Sequence, residues 1–478
     1  MGRTAVRRAT GTSAAAVTAG APLGRTPGAG DRTAALAQAN GRPQPAPVCV
    51  IGAGYVGLAT AAILAERGHH VRLAESAAPR LELLRRGTLP IHEPGLTPLV
   101  QRAAAEGTLE VHGEIRPAAA GAEIIVVAVG TAAGRNGRAD LRHIRDAVAE
   151  LALHASVDSI VVIKSTVPPG TTAQLQSSPA CRERRLRLVA CPEFLREGTA
   201  LDDSRHPSRV VVGGEDPTAC ALVAELFGGA GSPTLISDSA SAELIKYSSN
   251  AFLALKISFI NEIAHLCEQV GADIVTVAEG TGADPRIGRS FMDAGLGFGG
   301  SCLPKDVRAL ENLAGHHGHS FGMLRAAMEV NFQQRRRVAA RVEAALGGSL
   351  LRRRVAVLGL AFKPDTDDVR DSPAIELIDH LADLGAMVTA SDPVARGPAE
   401  TAGVRATLMD DPYECVRGAE AVVVATEWAC YRSLGWDRAG RVMANRYVFD
   451  ARNCLEAENL RALGFEYCGI GRPPSAGG

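Results

Sequence analysis

A glycine-rich turn between a short apolar strand and a helix constrains the fold of this chain more than any other feature. The turn, Gly52-Ala-Gly-Tyr-Val-Gly57, follows a strand pattern at residues 47–51 and leads into an apolar helical run at residues 58–67. A second strand pattern, residues 70–74, ends at Glu75. G-x-G-x-x-G binds a dinucleotide when it occurs in a particular order of elements: strand, turn, helix, strand and acidic residue. The sequence therefore predicts a Rossmann-like unit here.

Each glycine of this turn has its own role in the predicted site. Gly52 allows the tight turn, Gly54 lets a pyrophosphate approach the backbone, and Gly57 lets the helix pack on the strand. The N-terminus of the helix then faces the phosphates. Glu75 stands where an acidic residue binds both ribose hydroxyls, which favours NAD over NADP, although Arg80 could accept a 2′-phosphate. NAD is therefore the expected cofactor.

Composition limits the classes of protein and partner. The chain has 478 residues, 46% of them hydrophobic, and a formal net charge of −1, which predicts two or three globular domains and no nucleic-acid partner. Its ten cysteines form no C-x-x-C pair, so we expect reduced thiols in a cytoplasmic protein, without a metal site or a disulfide framework. No apolar run approaches the ~18 residues of a membrane span, so no membrane partner is expected. The Ala-, Gly- and Arg-rich residues 1–46 predict a disordered tail or a stretch upstream of the true start.

The two ends of the chain repeat one another. Gly121-Ala-Glu-Ile-Ile-Val-Val-Ala-Val129 has a counterpart in Gly418-Ala-Glu-Ala-Val-Val-Val-Ala-Thr426. Between them, residues 239–270 lack proline and glycine and predict one long helix, suited to a spacer and a dimer surface. The sequence thus predicts an α/β fold of two Rossmann-like, doubly wound parallel-sheet domains joined by a helical central domain with this long helix. The expected boundaries are 1–46 for the tail, 47–236 for the NAD-binding domain, 237–347 for the central and dimerisation domain, and 348–478 for the second Rossmann-like domain.

A cysteine in a second glycine-rich stretch is the candidate for covalent chemistry. Cys302 lies in Gly295-Leu-Gly-Phe-Gly-Gly-Ser-Cys-Leu-Pro-Lys-Asp306. Taken alone, this stretch fits an inert cysteine in a turn better than a nucleophile, because most cysteines only fill space. Lys246 and Asn250 share one face of the long helix, and Glu193 follows a predicted strand, so these side chains are candidates for a pocket wall.

The second α/β unit differs from the first at its key turn. It has Gly359-Leu-Ala-Phe-Lys363 and lacks G-x-G-x-x-G, so we expect it to bind something other than a dinucleotide pyrophosphate. Lys363, Arg370 and Arg452 would suit a phosphorylated ligand.

Ordered motifs along the chain are specific enough to indicate a family. Among them are Pro192-Glu-Phe-Leu-Arg-Glu-Gly198 and Phe298-Gly-Gly-Ser-Cys-Leu-Pro-Lys-Asp306. The sequence resembles the UDP-glucose/GDP-mannose dehydrogenase family of nucleotide-sugar 6-dehydrogenases from about residue 47 onward. The matching segments are 52–58, 90–96, 165–171, 192–198, 243–247 with Asn250 and Asn261-Glu262, 286–288, 298–306 and 361–373.

The resemblance implies a four-electron oxidation with two NAD⁺, in which the C6 alcohol of UDP-glucose becomes the carboxylate of UDP-glucuronate. Cys302 would add to an aldehyde to form a thiohemiacetal, which loses hydride to become a thioester. Lys246 and Asn250 would stabilise the oxyanion at C6. Thr166 and Asp306 would position a water, with Asp306 as a possible base, and Glu193 would be the general base for thioester hydrolysis.

The resemblance also implies two sets of binding residues. Residues expected to bind NAD are Gly52, Gly54, Tyr55, Val56, Gly57, Glu75, Arg80, Thr131, Thr166, Glu197, Lys305 and Arg370. Residues expected to bind UDP-glucose are Phe194, Leu195, Lys246, Asn250, Arg286, Phe298, Gly299, Phe362, Lys363 and Arg452. In the family, the arginine that matches Arg286 reaches into the neighbouring subunit's site, so a homodimer is implied.

Two alternatives stay open at this point. GDP-mannose 6-dehydrogenases share the cysteine motif, but the run that begins at Arg286, Arg-Ile-Gly-Arg-Ser-Phe-Met-Asp-Ala-Gly, favours UDP-glucose. N-acetylated UDP-sugars are disfavoured by the sequence of the stretch from Gly295 to Asp306, which we call the cysteine loop. A catalytically silent nucleotide-sugar-binding protein is the other alternative, and the intact set of candidate catalytic residues argues against it.

Overall fold

Two β-sheets, one in each half of the chain, form the framework of the computed structural model, which describes residues 47–132, 134, 137–229 and 231–472. The chain divides into Met1–Pro45 and Ala46–Gly478, and every described residue falls in the second unit. The tail predicted at residues 1–46 lies outside the described residues.

The first sheet has the strand order β3-β2-β1-β4-β5-β6-β7-β8. Neighbouring strands are parallel except β6 and β7, which pair antiparallel at Ala190 and Gly213. The strands are β1 Val48–Ile51, β2 Val71–Ala74, β3 Leu109–His112, β4 Ile124–Val127, β5 Ile160–Ile163, β6 Arg187–Ala190, β7 Val210–Gly213 and β8 Thr234–Ser237.

Helices cover both faces of this sheet. Val50 and Val126 pack in one apolar cluster with α1, α3 and α9, while Cys49 and Ile125 pack on the opposite face with α4 and α5. Burial on both faces explains why the strands read as continuous apolar runs. The helices are α1 Tyr55–Glu66, α2 Ala78–Arg85, α3 Leu96–Ala105, α4 Ile115–Ala119, α5 Arg142–His154, α6 Thr171–Gln176, α7 Pro179–Glu183, α8 Ala200–Arg205 and α9 Pro217–Phe227.

One long helix starts the central region, as predicted. Helix α10 spans Ser239–Val270, 32 residues. The Asp238 carboxylate accepts the backbone N–H of Ser241 at its start, and Gly271 ends it in the left-handed conformation with φ 77°. The helices that follow are α11 Ile274–Gly282, α12 Leu303–His316 and α13 Gly322–Ala345.

The second sheet repeats the core of the first in the order β11-β10-β9-β12-β13-β14, with all neighbours parallel. Asp392, at the position that matches Glu75, accepts backbone N–H groups of Leu360 and Ala361. The elements are β9 Arg354–Leu358, α14 Pro373–Asp383, β10 Met387–Ser391, α15 Arg396–Thr401, β11 Thr407–Leu408, α16 Pro412–Cys415, β12 Ala421–Val424, α17 Ala429–Arg432, α18 Trp436–Val442, β13 Tyr447–Asp450, α19 Ala457–Ala462 and β14 Glu466–Gly469.

The predicted fold class is confirmed: two Rossmann-like sheets flank a helical central region. The one departure from a wholly parallel first sheet is the reversed pairing of β6 with β7. Along the described part of the chain, no helix combines the length and the apolar character needed to cross a bilayer.

Candidate active site

The cysteine loop is fixed by the central and second sheet regions. Cys302 is the N-cap residue of α12. Upstream of it, the Asn331 side chain from α13 accepts the backbone N–H of Phe298 at 2.7 Å and donates to its carbonyl at 3.0 Å. This bidentate contact anchors the cysteine loop to α13, a helix that lies outside the cysteine motif at residues 298–306.

Close packing explains two of the loop's glycines. A Cβ at Gly299 would lie 2.2 Å from the backbone oxygen of Asp371, and a Cβ at Gly300 would lie 2.8 Å from the ring of Phe362. Gly300 also has φ +81°, which side chains rarely adopt. The glycines therefore bring the cysteine loop into direct contact with the region that follows β9.

Cys302 is exposed as a residue, while its sulfur lies among several charged groups. Loss of hydration around the sulfur, followed by the negative charge of Glu193, raises the pKa of the thiol to about 11, and Asp306 acts in the same direction. Lys246 and the Ser301 hydroxyl oppose the shift. The resting group at neutral pH is thus the thiol, and its reaction as a nucleophile requires a proton acceptor.

A buried ion pair lies beside the thiol. Lys246 Nζ is 3.0 Å from Glu193 Oε1, and the two side chains are only 5% and 7% exposed. Burial disfavours the ammonium, but Glu193, Cys302 and Asp306 outweigh it and hold the pKa of Lys246 above its usual value. Lys246 is therefore a positive charge next to the sulfur rather than a base.

A second carboxylate, Asp306, is held by two donors from different helices. Asp306 accepts hydrogen bonds from Asn250 Nδ2 at 2.6 Å and from Lys305 Nζ at 2.5 Å. Lys305 Nζ also donates to the Thr131 hydroxyl at 3.3 Å. Lys246 and Asn250 each pair with a carboxylate near Cys302. That they form a pocket wall stays a prediction.

Glu197 forms the centre of a third polar group. Its carboxylate accepts the hydroxyls of Ser301 at 3.1 Å and Thr366 at 3.3 Å, and Arg370 Nη2 lies 3.7 Å away. Burial and the neighbouring Asp368 raise the pKa of Glu197 to about 7, against the opposing effects of Arg370, Ser301 and Lys363.

The first glycine turn has the shape that a dinucleotide requires. A Cβ at Gly54 would meet no atom within 4 Å, so the turn leaves open space at the helix N-terminus, whereas a Cβ at Gly57 would lie 1.8 Å from the Gly52 oxygen. Glu75 accepts the backbone N–H of Ala53 at 3.1 Å, which aims its carboxylate toward this turn. The residues present therefore fit a bound dinucleotide.

The tyrosine of the same turn contacts the region after β9. Tyr55 OH donates to Asp367 Oδ1 at 2.7 Å and lies 2.9 Å from Thr366 Oγ1. The backbone N–H of His92 also donates to Asp367 Oδ1, at 3.3 Å. We call residues 364–370 the bridging loop, because they join the dinucleotide turn to Glu197.

The predicted sugar-nucleotide residues fall into two groups. Arg452 donates to the carbonyl of Phe362 at 3.1 Å and lies against Gly295, so the second sheet reaches the cysteine loop. Phe194 lies under Lys246 Nζ, 5.3 Å from its ring centroid. Leu195 follows it, with its N–H donated to Glu193 at 2.7 Å.

Lys363 and three residues predicted to bind NAD (Arg80, Thr166 and Val56) lie outside the groups described above. Burial lowers the pKa of Lys363, which lies over the Phe362 ring. Arg80 is half exposed, 4.0 Å from Glu75, while Thr166 is buried beyond the end of β5. Val56 belongs to the first turn of α1.

Arg286 stands apart from these groups within the single chain. Its side chain is 87% exposed and pairs with Asp284 at 2.6 Å. Lys256 of α10 donates to the carbonyls of Ile287 and Gly288 at 3.1 and 2.9 Å, which fixes this segment against the long helix.

Three domain models of one family account for this arrangement. The NAD binding domain of the UDP-glucose/GDP-mannose dehydrogenase family matches residues 46–230, its central domain matches 240–333, and its UDP binding domain matches 356–457. The chain belongs to this family. The predicted family and the predicted cofactor, NAD, are confirmed.

Several characterised proteins of the family are similar over most of their length. The UDP-glucose 6-dehydrogenase YwqF of Bacillus subtilis is 41% identical over 89% of this chain and 97% of its own. The UDP-glucose 6-dehydrogenase of Pseudomonas aeruginosa is also 41% identical, over 89% and 97%. A UDP-glucose dehydrogenase from Pyrobaculum islandicum has a similar solved structure, with TM-score 0.81, 36% identity, and coverage of 90% of this chain and 99% of that one.

The predicted site residues did not include every side chain that shapes the site. Asn331, Thr366 and Ser301 each hold a predicted residue in place. Ser301 could have been noted from its position next to Cys302, but Asn331 has no local signal, because it acts across 33 residues of sequence.

Proposed function

We propose that this chain oxidises UDP-glucose to UDP-glucuronate with two NAD⁺, with Cys302 as the covalent nucleophile. The observation that carries the proposal is the position of Cys302, an exposed residue, beside the buried Lys246–Glu193 pair. An oxidation of an alcohol to a ketone needs no nucleophile, whereas a second oxidation at an aldehyde carbon first needs a group that adds to it.

Lys246 and Asn250 suit the stabilisation of the oxyanion at C6. Lys246 stays charged in its buried setting, and charge-assisted donors in such sites are stronger than neutral ones. The bound cofactor supplies the hydride acceptor in both oxidations. Asp306, held by Asn250 and Lys305, would orient a water with Thr166 or act as a base on the C6 hydroxyl.

The chemistry of the second half depends on Cys302 and Glu193. Cys302 Sγ adds to the aldehyde carbon, the resulting thiohemiacetal loses hydride, and the thioester remains on the enzyme. Glu193 then acts as the general base that activates water for hydrolysis, which releases the carboxylate and the thiol. Its position beside Lys246 and near the Cys302 sulfur supports this assignment.

NAD-binding residues are proposed from the turn at Gly52 and from the bridging loop. Gly52, Gly54 and Gly57 would accommodate the pyrophosphate, with Tyr55 and Val56 beginning the helix whose N-terminus faces it. Further contacts are proposed for Glu75, Arg80, Thr131, Thr166, Glu197, Lys305 and Arg370.

The sugar nucleotide is proposed to lie between the central region and the second sheet. Its binding residues would be Phe194, Leu195, Lys246, Asn250, Phe298, Gly299, Phe362, Lys363, Arg452 and, from a second subunit, Arg286. Relatives named UDP-glucose 6-dehydrogenase at 41% identity favour UDP-glucose over GDP-mannose.

The stoichiometry of the reaction tests this function. With limiting UDP-glucose and excess NAD⁺, we expect about two NADH per sugar, measured by absorbance at equilibrium, because both oxidations occur before release. GDP-mannose and UDP-N-acetylglucosamine serve as controls, with little expected NADH. A ratio near one with free aldehyde, or preference for another sugar nucleotide, would contradict the proposal.

A homodimer through α10 is part of the proposal. Phe252, Phe259 and Leu266 recur every seven residues, yet they are 63%, 51% and 51% exposed. A continuous apolar stripe of this kind on a 32-residue helix suits a helix-to-helix interface. The Arg286 segment is fastened to the same helix, so pairing through α10 would place Arg286 near the partner.

Disruption of this stripe tests the dimer. We expect Phe259→Asp to convert the protein to a monomer in sedimentation velocity experiments, because a carboxylate would be buried in an apolar interface. Leu153→Asp, at a leucine 65% exposed on α5, is the matched control and should leave the mass unchanged. A dimeric Phe259→Asp protein would exclude this interface.

Two further assignments complete the proposal. The proposed functional domains are 47–236 for NAD, 237–347 for the dimer and the cysteine loop, and 348–478 for the UDP-sugar. All ten cysteines are free thiols, which fits a reducing, cytoplasmic compartment.

A further inference from the structure

A serine hydroxyl connects the Cys302 thiol to a buried carboxylate. Ser301 Oγ lies 3.5 Å from Cys302 Sγ and donates to Glu197 Oε1 at 3.1 Å. The three groups form a continuous hydrogen-bonded path from the sulfur to Glu197. A hydroxyl can accept one proton while it donates another, so it can carry a proton along such a path.

The other charged groups around the thiol are less suited to accept its proton. Glu193 is paired with Lys246 at 3.0 Å, and Asp306 already accepts two charged or amide donors at 2.5 and 2.6 Å. Each of these carboxylates is therefore already occupied by donors of its own. Lys246 carries its own proton, because the surrounding negative charge holds its pKa above the usual value.

Glu197 has the acid–base properties that a proton acceptor for the thiol needs. Burial, followed by the charge of Asp368, raises its pKa to about 7. A group with this pKa can take up a proton near neutral pH and release it again in the same turnover. The titratable and charged groups that face Glu197 or Cys302 are Tyr55, Glu193, Lys246, Asp306, Lys363, Asp368 and Arg370.

We propose that Ser301 relays the proton of the Cys302 thiol to Glu197 when the sulfur adds to the C6 aldehyde, and returns it when the thioester is hydrolysed. This inference rests on the proposed function. As the S–C6 bond forms, the S–H bond breaks, the proton passes to Ser301 Oγ, and the serine's own proton passes to Glu197 Oε1. The C6 oxygen is left as an oxyanion beside Lys246.

The relay explains how the second hydride can leave. An oxyanion expels hydride more readily than a neutral hydroxyl does, because a lone pair on the negatively charged oxygen forms the carbonyl π bond of the thioester as the hydride leaves. If the thiol proton moved to the C6 oxygen instead, that charge would be lost. When water later cleaves the thioester, the C6–S bond breaks and the leaving sulfur recovers its proton from Glu197 through Ser301.

Stopped-flow measurement of NADH formation from UDP-glucose tests the relay. The first oxidation precedes the addition of the sulfur, so we expect it to form an earlier phase than the second. For Ser301→Ala we expect the ratio of the second-phase rate to the first-phase rate to fall by about 10²-fold, the contribution of a positioned proton acceptor. Ser301→Thr, which keeps the hydroxyl, should recover most of the ratio.

In the wild-type enzyme the rate of the second phase should rise with pH through about 7, and Glu197→Gln should abolish this rise.

The outcomes separate the relay from the function on which it rests. Wild-type enzyme that forms no NADH from UDP-glucose overturns the proposed function, and the relay with it. Wild-type enzyme that forms two NADH, together with a Ser301→Ala protein whose phase ratio and pH profile are unchanged, overturns the relay alone. Equal losses in Ser301→Ala and Ser301→Thr, with thermal unfolding unchanged in both, also overturn it, because they assign the effect to shape and not to the hydroxyl.

Discussion

Replacement of Cys302 by serine is expected to abolish net acid formation, with a fall in turnover of ~10³-fold or more. Serine keeps the size and position of the side chain, but its hydroxyl is far less acidic and less nucleophilic than a thiol. The first oxidation needs no covalent bond to the enzyme. A single turnover that forms up to one NADH per active site is therefore the expected remnant, measured by stopped-flow absorbance.

A matched control separates this effect from general damage. Cys430 is the other exposed cysteine and lies in α17, so Cys430→Ser should retain wild-type turnover. NAD binding, measured by fluorescence titration with NADH, should change little in Cys302→Ser, because the turn at Gly52 is intact. Full turnover in Cys302→Ser would refute the thioester mechanism.

Loss of the Lys246 charge is expected to be nearly as damaging, and in two ways. Lys246→Met keeps the apolar stem but removes the donor proposed to stabilise the oxyanion, which should lower kcat by ~10²–10³-fold. It also leaves Glu193 buried without its partner, and breaking a buried pair in this way costs about 3–5 kcal/mol of the free energy of unfolding.

The double variant Lys246→Met/Glu193→Gln distinguishes the two effects. With both charges removed, the thermal unfolding midpoint should return most of the way to the wild-type value, while turnover stays low. If the double variant were as unstable as Lys246→Met alone, the ion pair would not be the source of the instability. If Lys246→Met kept wild-type turnover, Lys246 would have no part in oxyanion stabilisation.

Local patterns were sufficient to predict the framework of this protein. The turn at Gly52 and the helix at residues 239–270 follow from glycine spacing and from an uninterrupted helical composition, and both are confirmed. Helix α1 begins at Tyr55, earlier than the predicted start at residue 58, because the last part of the glycine turn already winds into the helix.

Contacts between distant segments could not be predicted in the same way. The packing of Gly300 on the Phe362 ring joins residues more than sixty positions apart, and the Ser301–Glu197 hydrogen bond joins residues 104 apart. Sequence periodicity indicates which face of a helix or strand is buried, but it does not indicate which side chains of other elements pack against that face. Family motifs indicated the participants, and the structure supplied their partners.

The bridging loop has a consequence for the order in which cofactors come and go. In the proposed reaction the first NADH must leave and a second NAD⁺ must enter while the sugar is still at the site. The turn that would bind the cofactor is tied to the sugar-binding half by the Tyr55 hydroxyl, which donates to Asp367 Oδ1 at 2.7 Å. The backbone N–H of His92 donates to the same oxygen at 3.3 Å. Hydrogen bonds between partly solvated groups exchange with water at a small net cost, unlike a buried apolar interface. The cofactor entrance can therefore open twice in each cycle while the apolar core that holds the cysteine loop stays closed.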